Sequence, residues 1–188
     1  MDIFSYSFLQ TNRFRMNAIV CMNSLNGIGK NGHIPWRSRV DMKYFKERTI
    51  GNGNNAVIMG FKTFVSLNFT PLPNRRNYIL TNNVEKASTK YKGDVVFENC
   101  IDNLVLLPYI FDEVYVIGGE QTYKIFEPFY EKLYVNIIGN SYYCDTFFTV
   151  CLEQYKKTKI NTTFDNLQKL TFYEFSKIHE NTLAESFL

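Results

Sequence analysis

The feature that most constrains the fold is a series of short, almost wholly apolar runs in the first two thirds of the chain. A strand with one solvent-exposed face alternates polar and apolar residues, whereas a strand buried on both faces is apolar throughout. The runs therefore predict buried strands, which are typical of a parallel sheet covered by helices. They lie at residues 16–22, 54–59, 77–81, 94–97 and 114–117.

Helical segments fit between these runs. Residues 38–41 read Ser-Arg-Val-Asp, which has the S-x-x-D form of a capping box and predicts that a helix begins at Ser38. Strands that alternate with helices imply βαβ crossovers and hence parallel strand pairing. Three further helices are predicted at residues 60–67, 99–107 and 119–126.

The C-terminal third adds one more strand, at residues 132–138, and then changes character. Residues 155–160 and 170–178 alternate polar and apolar side chains, which predicts two strands with a hairpin-like loop at residues 161–168 between them. Strands joined by so short a connection pair antiparallel. The sequence therefore predicts an α/β fold, with a mainly parallel eight-stranded sheet, an antiparallel C-terminal edge and about four flanking helices.

Length and composition agree with a single domain. A chain of 188 residues with 45% hydrophobic and 21% charged residues is ordinary for one globular unit. The first buried run begins at Met16. We therefore expect residues 1–15 to be an N-terminal extension, residues 16–180 the domain and residues 181–188 a C-terminal tail.

Composition also excludes several classes of function. A net charge of +3, without a dense block of Lys or Arg, does not indicate nucleic-acid binding. Four cysteines without a C-x-x-C motif and only two histidines give no zinc site, and scattered thiols suit a reducing, cytoplasmic compartment. No apolar run approaches membrane-spanning length. We expect a cytoplasmic protein with no metal, nucleic-acid or membrane partner.

Two strand–glycine–helix junctions carry the first chemical signal. Residues 60–63 (GFKT) and 118–121 (GGEQ) each follow a predicted buried strand. Free N–H groups at the start of a helix favour phosphate, and two such junctions in one parallel sheet suit a dinucleotide that lies across the strand ends. Taken singly, each junction is equally well explained as a tight turn, and the G-x-G-x-x-G fingerprint is missing.

Asp41 and Arg75 carry the second signal, and each has two interpretations. Asp41 stands in the first turn of the predicted helix, on the side of Met42 and Phe45, so it is either a helix cap or a buried functional acid. Spacing alone favours the cap. Arg75 follows a rigid Pro-Leu-Pro loop that suits recognition of a carboxylate or a phosphate, although a solvated turn is the commoner case.

In this order and spacing, the segments resemble the dihydrofolate reductase family. The similarity runs from about residue 16 to residue 149, and more weakly to about residue 178. It rests on Asp41 and on several distinct motifs. The motifs are IGKNGHIPW at residues 28–36, NAVIMGFKTF at 55–64, PLPNR at 71–75, VIGGEQTY at 116–123, KLYVNII at 132–138 and CDTFF at 144–148.

The resemblance implies an enzyme of one-carbon metabolism that uses NADPH to reduce 7,8-dihydrofolate to 5,6,7,8-tetrahydrofolate, is inhibited by antifolates and acts as a monomer. Two alternatives stay open. One is the pyrimidine reductase of riboflavin synthesis, which shares the general architecture; Asp41 and Arg75 argue against it, because they match groups for a pterin and a glutamate tail. The other is a folate- or NADP-binding relative without turnover, against which Asp41, Trp36 and the Gly118-Gly119 pair argue.

The resemblance also implies roles for individual residues. Asp41 would bind the 2-amino group and N3–H of the pterin, Trp36 would hold a water beside it, and Asn136 stands where the family has a threonine bonded to the acid. Arg75 would clamp the glutamate α-carboxylate, and the Gly118-Gly119 bond would be cis. The other implied substrate-binding residues are Val20, Cys21, Ile34, Met42, Phe45, Leu67, Leu72, Ile117 and Tyr123. The implied cofactor-binding residues are Cys21, Ile28, Gly29, Gly60, Phe61, Lys62, Thr63, Leu80, Thr81, Asn82, Ile117, Gly118, Gly119, Glu120, Gln121, Thr122 and Tyr123.

Further residues depart from the family pattern. Cys21 stands where alanine is usual near the pterin. Phe61, Asn82 and Gln121 carry no positive charge where relatives often place bases or hydroxyls for the 2′-phosphate of NADPH. Each lost charged contact removes about 1.5–3 kcal/mol of binding. We therefore expect NADPH to be preferred over NADH by a smaller margin than in relatives with bases at these positions.

Overall fold

A computed structural model of the chain describes residues 16–91, 93–165 and 167–178. The predicted extension at residues 1–15, the tail at residues 181–188 and the end of the domain at residue 180 lie outside the described residues. The strands are β1 (Met16–Asn23), β2 (Gly27–Gly29), β3 (Ala56–Gly60), β4 (Arg76–Leu80), β5 (Val96–Glu98), β6 (Val114–Val116), β7 (Tyr130–Ile138), β8 (Thr146–Phe147), β9 (Tyr155–Asp165) and β10 (Gln168–Lys177).

Eight of these strands form one sheet in the order β5-β4-β3-β6-β1-β7-β10-β9. Every pair from β5 across to β7 is parallel, whereas the β7–β10 and β10–β9 pairs are antiparallel. The predicted α/β sheet and its antiparallel C-terminal edge are thereby confirmed. Strands β2 and β8 form a separate small sheet, which was not predicted because they are too short to show a periodic pattern.

The described residues contain five α-helices, which connect the strands, where the sequence predicted about four. The additional helix is α3, whose only buried residue is Ala87; without an apolar stripe it leaves no helical pattern in the sequence. The helices are α1 (Arg39–Ile50), α2 (Phe61–Ser66), α3 (Val84–Lys90), α4 (Ile101–Val105) and α5 (Glu120–Phe126), with short 3₁₀ turns at Leu107–Tyr109 and Glu127–Phe129. Among the described residues, no helix has both the length and the apolar character that crossing a bilayer requires.

The two faces of the sheet are covered by different helices. Side chains alternate along β1, so that Ala18 and Val20 pack with α4 and α5 in the larger core. Ile19 and Cys21 point to the opposite face, where α1 and α2 pack. Tyr44 of α1 stacks on Phe172 of β10 with ring centroids 4.7 Å apart, which fixes α1 over this face. Cys21 and the first turn of α1 therefore face each other.

The predicted loop at residues 161–168 is wrong. Strand β9 continues to Asp165, which pairs with Gln168 at the start of β10, so residues 161–165 are strand and not loop. Strand β9 is the edge of the sheet and most of its side chains are exposed, so it needs no apolar residues to be a strand. Its polar end was for this reason mistaken for a loop.

Candidate active site

Asp41 lies at the start of α1, but its carboxylate does not cap the helix. The cap is Ser38, whose Oγ accepts a hydrogen bond from the Asp41 backbone N–H at 3.1 Å and donates one to Asp165 Oδ2 at 2.7 Å. The Asp41 carboxylate turns towards the sheet, where its Oδ1 accepts a hydrogen bond from Asn136 Nδ2 at 2.7 Å. The interpretation of the Asp41 side chain as the helix cap is therefore wrong.

Strand register places a thiol beside this pair. Cys21 of β1 is the direct partner of Asn136 on β7, so both side chains reach the face that Asp41 overhangs. Burial raises the pKa of the Asp41 carboxyl, and hydrogen bonding from Asn136 and Cys21 offsets part of that rise. Burial, followed by the nearby charge of Asp41, also raises the pKa of the Cys21 thiol. The Asp41 carboxyl is therefore poorly solvated, and the Asn136 amide and the Cys21 thiol donate hydrogen bonds to it.

Two buried polar atoms at this site have no partner among the described residues: Trp36 Nε1 and Asn136 Oδ1. Because Asn136 turns its Nδ2 to the carboxylate, its Oδ1 must face the other way as a free acceptor. The Trp36 ring is held by Tyr142, with centroids 5.3 Å apart, and packs against Cys21. Buried polar groups are nearly always paired, so a free donor and a free acceptor indicate a place for water or a polar ligand.

Apolar side chains form the rim of the site. Ile34 and Met42 are each 61% exposed, although residues of this type are usually buried. Phe45, Leu67 and Leu72 lie behind them, partly buried against the core. These side chains form an apolar surface, part of which faces solvent, that a bound aromatic ring would cover.

Val20 is a predicted substrate residue whose side chain the structure does not bring to this rim. Its side chain is 5% exposed and packs into the core on the face of the sheet opposite Asp41. Alternation along β1 causes this, because the neighbouring Cys21 takes the site-facing position. Only the backbone of Val20 can therefore contact a ligand in the pocket.

Arg75 stands at the far end of the rim. Its guanidinium donates to Thr49 of α1 and, through Nε, to Pro73 O at 3.0 Å, and it lies 5.9 Å from the Phe45 ring centre. Asn77 braces the loop, since its side chain bonds the backbone of Leu72 in both directions at 2.9 Å. No Asp or Glu of the described residues forms an ion pair with Arg75, and burial lowers its pKa. The Arg75 guanidinium is held in place, is half-buried and has no acidic partner among the described residues. It is therefore suited to bind the carboxylate of a ligand.

The two glycine junctions meet at the carboxyl edge of the sheet. Gly60 N–H donates to Gly118 O at 2.8 Å, and the Gly118-Gly119 bond is cis, as predicted. A Cβ at Gly60 would come within 2.7 Å of Thr122 Oγ1. Neither α2 nor α5 has a side-chain cap, so the first N–H groups of both helices have no side chain in front of them. The two junctions together form one edge that suits phosphate groups.

Tyr123 supports this edge from behind. It is 3% exposed, its hydroxyl donates to Ile19 O at 2.8 Å, and its ring packs on Phe148 with centroids 5.0 Å apart. A Cβ at Gly118 would lie 3.2 Å from the Tyr123 ring. Tyr123 therefore packs under the turn at Gly118. Burial raises the pKa of the Tyr123 hydroxyl, and the charge of Asp41 raises it further.

The other predicted cofactor residues differ in exposure and in the elements that carry them. Lys62, Asn82 and Gln121 are exposed, whereas Thr63, Thr81 and Ile117 are partly buried. Ile28 and Gly29 belong to β2, where Gly29 O accepts from Asp145 N–H at 3.0 Å. The remaining positions at this edge are Leu80, which ends β4, and Glu120, which opens α5.

A cavity of about 300 Å³ lies beside Phe61 and Thr81. Its other lining residues come from the segment of α3, which the sequence analysis did not predict as a helix. A signal was available, because Asn83 is a good N-cap residue and its Oδ1 accepts from Lys86 N–H at 2.8 Å. The remaining lining residues are Asn83, Lys86, Ala87 and Lys90.

Comparison with known proteins agrees with this geometry. The family model of dihydrofolate reductase matches residues 15–179. A dihydrofolate reductase of Staphylococcus haemolyticus is 36% identical over 140 residues, which covers 72% of this chain and 77% of that protein. One from Haemophilus influenzae is 35% identical over 130 residues, covering 69% and 76%. A solved structure of dihydrofolate reductase from Enterococcus faecalis, complexed with NADP(H) and RAB-propyl, superposes with a TM-score of 0.76 at 26% identity, covering 89% of this chain and 98% of that one. The chain belongs to the dihydrofolate reductase family.

Proposed function

We infer that the protein reduces 7,8-dihydrofolate to 5,6,7,8-tetrahydrofolate with NADPH. The observation that carries this inference is the partly buried Asp41 carboxylate, bonded to Asn136 at 2.7 Å and flanked by the free polar atoms of Trp36 and Asn136. An ionised carboxylate only accepts hydrogen bonds, so it pairs with a heterocycle that presents two adjacent N–H groups. The pterin 2-amino group and N3–H are such a pair.

Asp41 has a second task during reduction. Hydride arrives at C6 of the pterin, so N5 must gain a proton, and the ring carries positive charge in the process. A fixed negative charge in a place with little water stabilises that charge more than it could in solvent. The proton itself comes from water, and the free Trp36 Nε1 donor is suited to orient that water beside the ring.

The tail of the substrate fits the rim and Arg75. Met42, Phe45 and Leu72 offer apolar surface for the p-aminobenzoyl ring. Arg75, at the end of this surface, has a planar guanidinium that binds a carboxylate with two parallel hydrogen bonds. Its contact with Thr49 holds it in place before the ligand arrives.

The phosphate-binding edge fits NADPH. Gly60 cannot carry a side chain beside Thr122, so the backbone at this junction is bare, and the uncapped starts of α2 and α5 present N–H groups to a pyrophosphate. Thr63, 3.4 Å from a Cβ placed on Gly119, adds a hydroxyl at the same point. When bound, NADPH supplies the hydride that reduces the C6–N5 double bond of dihydrofolate.

The test is the loss of NADPH absorbance by the purified chain, measured with dihydrofolate and separately with the aminopyrimidine substrate of riboflavin synthesis. We expect oxidation with dihydrofolate only, and competition by a 2,4-diaminopyrimidine antifolate, which, when protonated at N1, presents an equivalent pair of N–H groups to Asp41. Oxidation with the aminopyrimidine alone, or binding of both ligands without turnover, would contradict the proposal.

We also propose that the enzyme acts as a cytoplasmic monomer. Every residue of the site comes from one chain, so no second copy is needed to complete it. All four cysteines are free, which suits a reducing compartment. Sedimentation of the purified protein is expected to give a single species of 22.1 kDa.

The Asn136 contact leads to a prediction of small effect. In Asn136→Thr a hydroxyl replaces the amide as donor to Asp41, so kcat/KM for dihydrofolate should stay within about tenfold of the wild type, because one hydrogen bond to a charged group contributes about 1.5–3 kcal/mol at most. Asn136→Val, which matches threonine in shape but has no donor, should lose more and should shift the acid limb of the pH profile upward, since the Asn136 hydrogen bond lowers the Asp41 pKa. Complete loss of turnover in Asn136→Thr would contradict this account of the residue.

A further inference from the structure

The end of the β9–β10 hairpin contacts the start of helix α1, the helix that carries Asp41. Asp165, the last residue of β9, accepts a hydrogen bond through Oδ2 from Ser38 Oγ at 2.7 Å and another from the Val40 backbone N–H at 3.2 Å. These partners are 127 and 125 residues away in the chain. The positive end of the helix dipole is therefore covered by a carboxylate from a distant part of the sequence.

Ser38 transmits this contact to Asp41. The Ser38 hydroxyl has a single hydrogen, which it donates to Asp165, so its lone pairs are left to accept the Asp41 backbone N–H at 3.1 Å. Ser38 is 6% exposed, so water has little access to compete for either bond. Hydrogen bonds in such a chain strengthen one another. Asp165 therefore fixes both the orientation of the Ser38 hydroxyl and the position of the Asp41 backbone.

The same hairpin also fixes Asn136, the hydrogen-bond partner of the Asp41 carboxylate. Strand β10 pairs with β7, where Phe172 is the direct partner of Asn136. The Phe172 ring stacks on Tyr44 of α1 with centroids 4.7 Å apart. Because Asp165 ends the strand that pairs with β10, one hairpin holds the start of α1 and also the amide that bonds the Asp41 carboxylate at 2.7 Å.

Gln168, the cross-strand partner of Asp165, supports Trp36 from the same place. Its side-chain amide donates to the Tyr142 hydroxyl, and the Tyr142 ring packs on Trp36 with centroids 5.3 Å apart. Through one intervening side chain in each case, the end of the hairpin thus contacts both ends of the segment from Trp36 to Asp41.

We propose that Asp165 is a positioning residue for the Asp41 carboxylate: it holds the start of α1 at the distance from β7 at which Asn136 bonds that carboxylate. The proposal rests on the proposed function, because that function makes the placement of Asp41 matter for turnover. Asp165 acts only through Ser38 and Val40 and does not touch the substrate. Catalytic groups must be held to within about 0.5 Å, so a contact outside the pocket can set the rate.

The pKa of Asp41 reports on this placement, whereas a general loss of stability does not change it. Burial raises the Asp41 pKa, and the hydrogen bonds from Asn136 and Cys21 offset part of the rise. A small retreat of α1 weakens these bonds steeply and changes burial only gradually, so the Asp41 pKa should rise further. Among the described residues, the titratable groups that face Asp41 are Cys21 of β1, Tyr44 of α1 and Tyr123 of α5. The pKa of each is raised, so they stay protonated over the acid range.

The test is a carbon-13 NMR titration of the Asp41 carboxyl in the full-length chain, run beside steady-state kinetics. Asp165→Ala removes the acceptor and the charge, whereas Asp165→Asn removes the charge alone, because its amide oxygen can still accept both bonds. Ser38→Gly removes the hydroxyl at little cost to the helix, since glycine is a good N-cap residue. Asp112→Ala is the matched control: Asp112 is an exposed aspartate that bonds Asn54 at the amino edge of the sheet.

We expect Asp165→Ala to raise the Asp41 pKa and to lower kcat/KM for dihydrofolate about 5- to 20-fold, less than the roughly 100-fold that a displacement of about 1 Å costs. Ser38→Gly should change both quantities in the same direction but less, because Val40 still bonds Asp165. Asp165→Asn and Asp112→Ala should stay near the wild type in both.

An Asp41 pKa that does not move in Asp165→Ala, with only a lower melting temperature, would show an ordinary helix cap and overturn the proposal. Equal changes in Asp165→Ala and Asp165→Asn would assign the effect to charge and would overturn it as well. Where Asp165→Ala is too unstable to titrate, Ser38→Gly gives the same decision. The titration needs no turnover, so the expected rise in a chain that does not reduce dihydrofolate would support the positioning role and contradict the proposed reaction.

Discussion

Asp41→Asn is expected to lower kcat/KM for dihydrofolate by about 10²- to 10⁴-fold, the range in which positioned acids and bases contribute to catalysis. The amide keeps the shape of the side chain and can still accept the hydrogen bond from Asn136 Nδ2, so the site should remain assembled. It loses the negative charge that stabilises the protonated pterin, and it presents a donor where the pterin also presents donors. Initial rates over a range of pH measure the loss.

Binding of NADPH serves as the control for this variant. The hydrogen bond that joins the glycine junctions at Gly60 and Gly118 does not involve Asp41, so the affinity for NADPH should stay near that of the wild type. Quenching of Trp36, the only tryptophan of the chain, gives a direct titration. Near-normal turnover at neutral pH would end the assignment of Asp41 as the essential acid.

The same variant should not be less stable than the wild type at neutral pH. Burial raises the Asp41 pKa in the folded protein above the ordinary value of an aspartate, about 4. Below about pH 4 the acid is neutral in both the folded and the unfolded state, and its contribution to the free energy of unfolding is complete. That contribution is lost as the pH rises through the raised pKa. The amide of the Asp41→Asn variant would carry no such loss, because it cannot ionise. Thermal unfolding should therefore show the variant gaining on the wild type as the pH rises. A variant that is destabilised most at neutral pH would contradict the burial argument.

Arg75→Leu is expected to raise KM for dihydrofolate by about 10- to 100-fold with a smaller change in kcat, since a charged hydrogen-bonded contact contributes about 1.5–3 kcal/mol. The loss is in binding of the tail, which lies away from the reacting atoms. The matched control is Arg76→Leu: Arg76 is the next residue, is exposed and pairs with Asp94, so its removal should leave KM unchanged. Steady-state kinetics of both variants measure the difference.

A reduced pterin without the p-aminobenzoylglutamate tail separates binding from folding. For this truncated substrate Arg75→Leu and the wild type should have nearly equal kcat/KM, because neither can use the guanidinium. Arg75 also bonds Thr49 and Pro73, so a general disturbance of the loop is the competing explanation. Equal losses on both substrates would favour that explanation and would remove the carboxylate-binding role.

The sequence predicts those strands and helices whose residues form a strong local pattern. Apolar runs or alternation of polar and apolar residues identified all eight strands of the main sheet, and Ser38 identified the start of α1, because these signals come from residues close together in the chain. Helix α3 was missed because it buries only Ala87. The end of β9 was missed because an exposed edge strand tolerates the polar residues of a loop.

The site itself depended on contacts that no local pattern encodes. Spacing alone favoured Asp41 as a cap; its true partner, Asn136, is 95 residues away and is brought near by the β1–β7 register. Similarity to the family supplied that pairing. It did not supply the direction of Val20 or the lysines of α3, since the first depends on strand phase and the second on a helix that the motifs do not include.

The most direct test of the central claim follows the hydride. In a single turnover with NADPH that carries deuterium at the transferred position, the wild type should form tetrahydrofolate with one deuterium at C6, seen by mass and NMR spectra, and Asp41→Asn should form it far more slowly from an equally bound cofactor. Tetrahydrofolate without deuterium, or oxidation of NADPH with no deuterium in the pterin, would contradict the claim that this site transfers hydride from NADPH to dihydrofolate.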